Sequence, residues 1–122
     1  MHSILVVDDS ATMRRMVIAS LRALPGLQFG EASTGLEALE RLALAPVDLM
    51  ILDLNMPDMH GLEVLQFVRS QAHYRAIPVI ILTTRGDNDS RAVALAAGAS
   101  QYLTKPFTPQ SLVAHVSTLL HE

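Results

Sequence analysis

The run Leu49-Met50-Ile51-Leu52 constrains this chain more than any other stretch, because four consecutive apolar residues do not suit a strand with one face in water. The run predicts a strand buried on both faces, and so a sheet with helices packed on each side. It stops on Asp53, and Asn55 and Pro57 end the strand and open a turn. Asp53 is therefore expected at the carboxyl end of a buried strand, at the mouth of the fold. In α/β proteins that edge is where ligands bind.

The rest of the chain repeats the pattern. Ser3 to Val7 reads as a buried strand closing on Asp8-Asp9. Ser10 can cap a helix with Met13, Met16, Val17, Leu21 and Leu24 at helical spacing, ended by Pro25-Gly26. Leu27 to Glu31 is a weak second strand. Thr34 and Glu37 have capping-box spacing, and Leu36, Leu39 and Leu42 continue as an amphipathic helix. Pro46 breaks the chain before the central strand, and Gly61 to Ser70 reads as a third helix containing Leu62, Leu65 and Phe67. Val79 to Leu82 is a fourth strand ending on Thr83-Thr84, followed by a polar loop from Arg85 to Asn88. An alanine-rich helix then runs to Ala97, with Gly98 as its cap. Gln101 to Thr104 is a fifth strand ending at Lys105-Pro106. Thr108 caps and Pro109 opens a last helix with Leu112, Val113, Val116, Leu119 and Leu120 on its apolar face. Strand and helix alternate throughout, the pattern of an open parallel sheet covered on both faces.

Composition narrows the class. At 122 residues the chain suffices for one well-packed core and is read as a single domain, 1–122. With 50% hydrophobic and 17% charged residues, disorder is excluded. A formal net charge of -3 argues against non-specific nucleic-acid binding. The absence of cysteine removes disulfides and thiolate metal sites and fits a reducing compartment. No apolar run approaches the thickness of a bilayer, and no signal peptide is recognised. The expectation is a cytoplasmic protein without membrane insertion.

Right-handed crossovers place the carboxyl strand ends along one edge. The polar groups gathered there are Asp8-Asp9, Asp53, Thr83 and Lys105. Singly, each has a plain structural role: a helix cap, a β-forming strand end, a solvated lysine. Together they suggest chemistry. Crowded carboxylates raise one another's pKa unless a cation intervenes, and an all-oxygen donor set suits Mg²⁺. A carboxylate can itself attack phosphorus, with metal, ammonium and hydroxyl sharing the charge on the phosphoryl oxygens.

The pieces Ile4-Leu5-Val6-Val7-Asp8-Asp9, Gly35-Leu36-Glu37-Ala38-Leu39, Asp53 to Gly61, Ile80-Ile81-Leu82-Thr83, Ala96-Ala97-Gly98-Ala99 and Tyr102-Leu103-Thr104-Lys105-Pro106-Phe107 carry a resemblance. In this order they resemble the receiver domain of bacterial two-component response regulators, above all single-domain members of the chemotaxis type. The resemblance covers essentially the whole chain. It implies a flavodoxin-like five-stranded parallel sheet of order 2-1-3-4-5 with five helices on both faces. That order is a known property of chemotaxis receivers; the apolar runs by themselves leave it open.

By position, the resemblance implies that Asp53 accepts a phosphoryl group from a histidine kinase or phosphotransfer protein. Asp9 would ligate Mg²⁺ with Asp53 and the backbone carbonyl of Asn55, and Asp8 would act partly through metal-bound water. Lys105 would pair with a phosphoryl oxygen, and Thr83 would hydrogen-bond to it in the active state. Tyr102 would be an aromatic switch turning inward as Thr83 moves. The face of the fourth helix, fifth strand and fifth helix would then be read by a downstream protein or a phosphatase. The Lys105-Pro106 bond is expected to be cis. Such a chain is not an enzyme on external substrates; it carries out only self-directed phosphotransfer and autodephosphorylation. Thr84 departs from the smaller residue common in the family and could restrict water or small phosphodonors. Asn55 and Arg85 could also tune the lifetime, and His60 is read as a solvent-facing loop residue. Arg14 and Arg15 could steer an acidic partner or simply form a solvated helix face.

Three readings compete with a switch, one of them a flavodoxin-like flavin binder, which wants a Ser/Thr-rich phosphate loop after the first strand that this chain lacks. A haloacid-dehalogenase-type phosphatase also uses a strand-end aspartate with Mg²⁺, but wants an acid two positions later, where Asn55 stands. A degenerate receiver would bind partners without phosphorylation, which the complete acid, threonine and lysine set disfavours.

Overall fold

The computed structural model describes residues 2–120. It contains β1 (His2–Val7), α1 (Ala11–Leu21), β2 (Leu27–Ala32), α2 (Gly35–Leu44), β3 (Leu49–Leu52), α3 (Gly61–Ser70), β4 (Val79–Thr83), α4 (Asn88–Ala96), β5 (Gln101–Thr104) and α5 (Pro109–Leu120). The strands form one sheet in the order β2-β1-β3-β4-β5, all neighbours parallel.

All four residues of β3 are buried, as a two-sided strand requires. Alternate side chains enter two separate cores. Leu5, Val7, Met50, Leu52, Val79 and Ile81 pack against Ala38 and Leu42 of α2, Val64, Leu65 and Val68 of α3, and Ala94 of α4. Ile4, Val6, Leu49, Ile51, Ile80 and Leu82 pack against Val17, Ile18 and Leu21 of α1 and Leu112, Val116 and Leu120 of α5. Each fully buried aliphatic side chain contributes about 1.5–3 kcal/mol, so this double layer is what holds the sheet edge in place.

Helix starts follow the caps. The Ser10 side chain accepts from the Met13 amide, Thr34 from Glu37, and Thr108 from Ser111. In α2 the Glu37 carboxylate reaches back to the Ser33 amide at 2.8 Å, a capping box displaced by one residue. Some details differ from the sequence reading. Helix α1 stops at Leu21, and Gly26 turns the chain with φ 74°, so Leu24 lies beyond the helix. Met16 and Leu36 face solvent at 50% and 59% exposure, because Val17, Ile18 and Leu21, and Gly35, Ala38 and Leu42, define the buried stripes instead. Asn88 is already helical, since Asp87 is the residue that caps α4.

Candidate functional site

The strand ladders continue past the strands and carry the polar residues with them. The Asp8 amide donates to the Ala32 carbonyl, the Asp53 amide to Val7, and the Lys105 amide to Thr83. These backbone bonds fix where the side chains begin, so Asp8, Asp53, Thr83 and Lys105 meet at one edge although up to 97 positions separate them.

Asp53 and Asp8 are only 5% and 4% exposed and form the floor of the cup, while Asp9 stands at its rim. One carboxylate oxygen from each of Asp8, Asp9 and Asp53 can be brought into a group within 4.8 Å of one another. The Lys105 ammonium lies between two of them, 2.6 Å from Asp8 Oδ2 and 3.4 Å from Asp53 Oδ2. Asp8 Oδ1 also accepts from the Ser10 amide at 2.9 Å, and Asp53 Oδ1 from the Asn55 amide at 3.2 Å.

Three carboxylates face one ammonium, which leaves the cup short of positive charge. Among the described residues no other cationic side chain pairs with them, and Asp9 has no ionic partner. That deficit and the all-oxygen donor set fit a hard divalent cation such as Mg²⁺.

Thr83 is fully buried, and its hydroxyl oxygen accepts from the Arg85 amide at 3.4 Å and the Asn55 side chain at 3.5 Å. Among the described residues its own O–H has no acceptor. Thr84 is exposed. Tyr102, 4% exposed, is turned inward, and its O–H donates to the Arg85 carbonyl. The Arg91 guanidinium covers the ring at 5.6 Å. Burial, with the nearby Asp87 charge, raises the Tyr102 pKa above its ordinary value. The Lys105-Pro106 bond is cis.

Gly61, Asp58, His60 and Arg14 support the surroundings of the cup in roles that the sequence does not assign to them. A Cβ on Gly61 would lie 2.1 Å from the Asp53 carbonyl oxygen, so α3 starts against the backbone of the acid itself. Asp58 reaches across to α2, accepting from the Gly35 and Leu36 amides at 3.0 and 3.1 Å. His60 is exposed, yet its Nδ1 accepts from the Leu62 amide and caps α3. Arg14 is turned inward onto the Asp8 carbonyl and is not part of a solvated face, whereas Arg15 is exposed. Gly61 carried only a helix-start signal in the sequence; Asp58 and Arg14 act on distant segments and leave no periodic trace.

Residues 4–117 match the family model described as the response regulator receiver domain. The chain is 43% identical over 118 residues to the chemotaxis protein CheY1 of Helicobacter pylori, covering 96% of this chain and 95% of that protein. Among solved structures it is similar to a putative response regulator from Chloroflexus aurantiacus, with TM-score 0.92, 34% identity, and coverage of 99% and 98%. It is likewise similar to the chemotaxis response regulator CheY4 of Vibrio cholerae, with TM-score 0.89, 37% identity, and coverage of 98% and 99%.

Proposed function

This chain belongs to the response regulator receiver domain family, and we propose that Asp53 is the phosphoacceptor of the phosphorylation-activated switch it forms. The observation carrying that assignment is the buried Asp53 carboxylate, flanked by two further acids and faced by the Lys105 ammonium.

The chemistry follows from the side chains. A carboxylate oxygen of Asp53 attacks phosphorus as the bond to the donor breaks, and the electron pair leaves with the donor nitrogen or oxygen. Asn55 holds Oδ1 through its amide and thereby orients the carboxylate. Lys105, within reach of both Asp8 and Asp53, follows the charge onto the new phosphoryl group. Thr83 has an O–H ready to donate to a phosphoryl oxygen. Asp9, Asp53 and the Asn55 carbonyl would hold Mg²⁺, with Asp8 acting partly through water; when bound, the ion supplies charge neutralisation for phosphoryl oxygens. The exposed Thr84, next to Thr83, bears on how readily water and small phosphodonors reach Asp53, and so on the rate of self-directed dephosphorylation.

Tyr102 and Thr83 act on the same loop, because the Tyr102 hydroxyl and the Thr83 oxygen both bind the Arg85 backbone. Movement of Thr83 toward a phosphoryl oxygen therefore reaches α4 and β5, the face a downstream target reads. The donor is a histidine kinase or phosphotransfer protein, and the chemotaxis names of the relatives support a chemotaxis-type signalling role with a downstream protein target. No helix among the described residues is long and apolar enough to cross a membrane. Family membership favours neither the phosphatase nor the degenerate reading.

The test is addition of beryllofluoride with Mg²⁺, followed by NMR. The expected result is one stable adduct, with shifts at Asp53 spreading to Tyr102, and no response in Asp53→Asn. An adduct that survives Asp53→Asn would overturn the assignment.

A further inference from the structure

Arg14 is the fourth residue of α1, where the positive end of the helix dipole disfavours a cation, and no acidic residue lies in that first turn to offset it. Its side chain is nevertheless only 15% exposed. Nη1 donates to the Asp8 carbonyl at 2.6 Å, and Nε donates to Glu31 Oε1 at 2.8 Å. A locally unfavourable charge held by two specific bonds has a purpose beyond helix formation.

The Asp8 carbonyl belongs to the peptide that leads into Asp9. The amide of Asp8 is fixed on Ala32 and its carboxylate on Ser10 and Lys105, whereas Asp9 has no ionic partner among the described residues to orient it. The direction in which the Asp9 carboxylate leaves the backbone is thus set by the 8–9 peptide, and the grip on that peptide's oxygen is Arg14. We propose that Arg14 is a positioning residue for the divalent cation, holding the 8–9 peptide so that Asp9 points into the cup, with Glu31 aligning its guanidinium. The inference rests on the Mg²⁺ reading above. Because Glu31 neutralises Arg14, the pair adds little net field at the cup, and its effect is geometric.

Geometry and charge predict different outcomes for Arg14. Taken as a bare charge, Arg14 repels Mg²⁺: Arg14→Met would tighten binding and Arg14→Lys would leave it unchanged. Taken as a positioning residue, both substitutions weaken binding. A lysine cannot hold a carbonyl and a carboxylate with one rigid fork.

The experiment is a Mg²⁺ titration of the unphosphorylated chain, read from the amide shifts of Asp9 and Asn55. Circular dichroism confirms folding of each variant. Arg14→Met is expected to raise the Kd for Mg²⁺ about tenfold, the usual scale for groups that orient metal ligands, and Arg14→Lys roughly threefold or more. A Kd at or below that of the parent chain for Arg14→Met, or an unchanged Kd for Arg14→Lys, overturns the proposal. If Arg14→Met does not fold, the charge-conserving Arg14→Lys decides alone. Absence of Mg²⁺ binding by the parent chain would overturn the metal reading and this one together, whereas parent binding unaffected by Arg14→Lys would overturn this one only.

Discussion

Lys105 is the residue on which the electrostatics of the cup turn. Its ammonium is the one cation within ion-pair distance of Asp8 and Asp53 among the described residues, and all three side chains are nearly buried. Removing one partner from such a group leaves uncompensated charge in a poorly solvated place. Gly61 has an equally sharp constraint of another kind. A methyl there would meet the Asp53 carbonyl oxygen at 2.1 Å and Leu54 Cα at 2.8 Å, both backbone atoms that cannot swing aside. Gly61→Ala is therefore expected to cost about 2 kcal/mol, within the usual range for overpacking, with the urea midpoint lowered in proportion. An unchanged midpoint would mean that α3 is free to shift. The strand-end set of Asp8, Asp9, Asp53, Thr83 and Lys105 was legible because a buried strand that stops on a polar residue announces an edge. Gly61, Asp58 and Arg14 were not, since each acts on backbone outside its own element: Arg14 grips Asp8, Gly61 leaves room for Asp53, and Asp58 holds Gly35 and Leu36.

At the scale of elements, α2 is tied to the loop that follows Asp53. Both Asp58 oxygens accept from the first amides of α2, where carboxylates are favoured. Those bonds, led by the one from Leu36, hold the Asp58 pKa below the ordinary 3.8. The unfolded chain then binds the proton more readily, so the stabilisation is fully present above the ordinary value and is lost as pH falls through the lowered one. Asp58→Asn should destabilise the protein at neutral pH, and the gap from the parent chain should close as pH falls below 3.8. Urea unfolding at several pH values measures this; a gap independent of pH would contradict the role given to Asp58. Element positions were largely readable, since Ser10, Thr34, Thr108 and Pro109 mark their helices by local chemistry. Met16 and Leu36 are exposed despite their helical spacing, because periodicity gives the width of an apolar stripe poorly and the facing sheet decides which residues on its margin are covered.

Across the whole molecule, the two cores have unequal helix layers. Helices α1 and α5 each bury three side chains against one face of the sheet, whereas α4 on the other buries only Ala94. The least anchored helix is thus the one joined to the cup through Thr83, Arg85 and Tyr102. A chain built this way can change at α4 without disturbing the sheet that holds the acids in place. The α/β class was evident from the alternation of elements, while the strand order rested on resemblance, because apolar runs do not say which strand lies beside which. The most direct measurement is the intact mass of the chain after incubation with acetyl phosphate, with Mg²⁺ or with a chelator, for the parent and Asp53→Asn. The prediction is a single phosphoryl group on the parent only when Mg²⁺ is present, and none on the variant. Phosphoryl incorporation in the chelator, or on Asp53→Asn, would contradict the account.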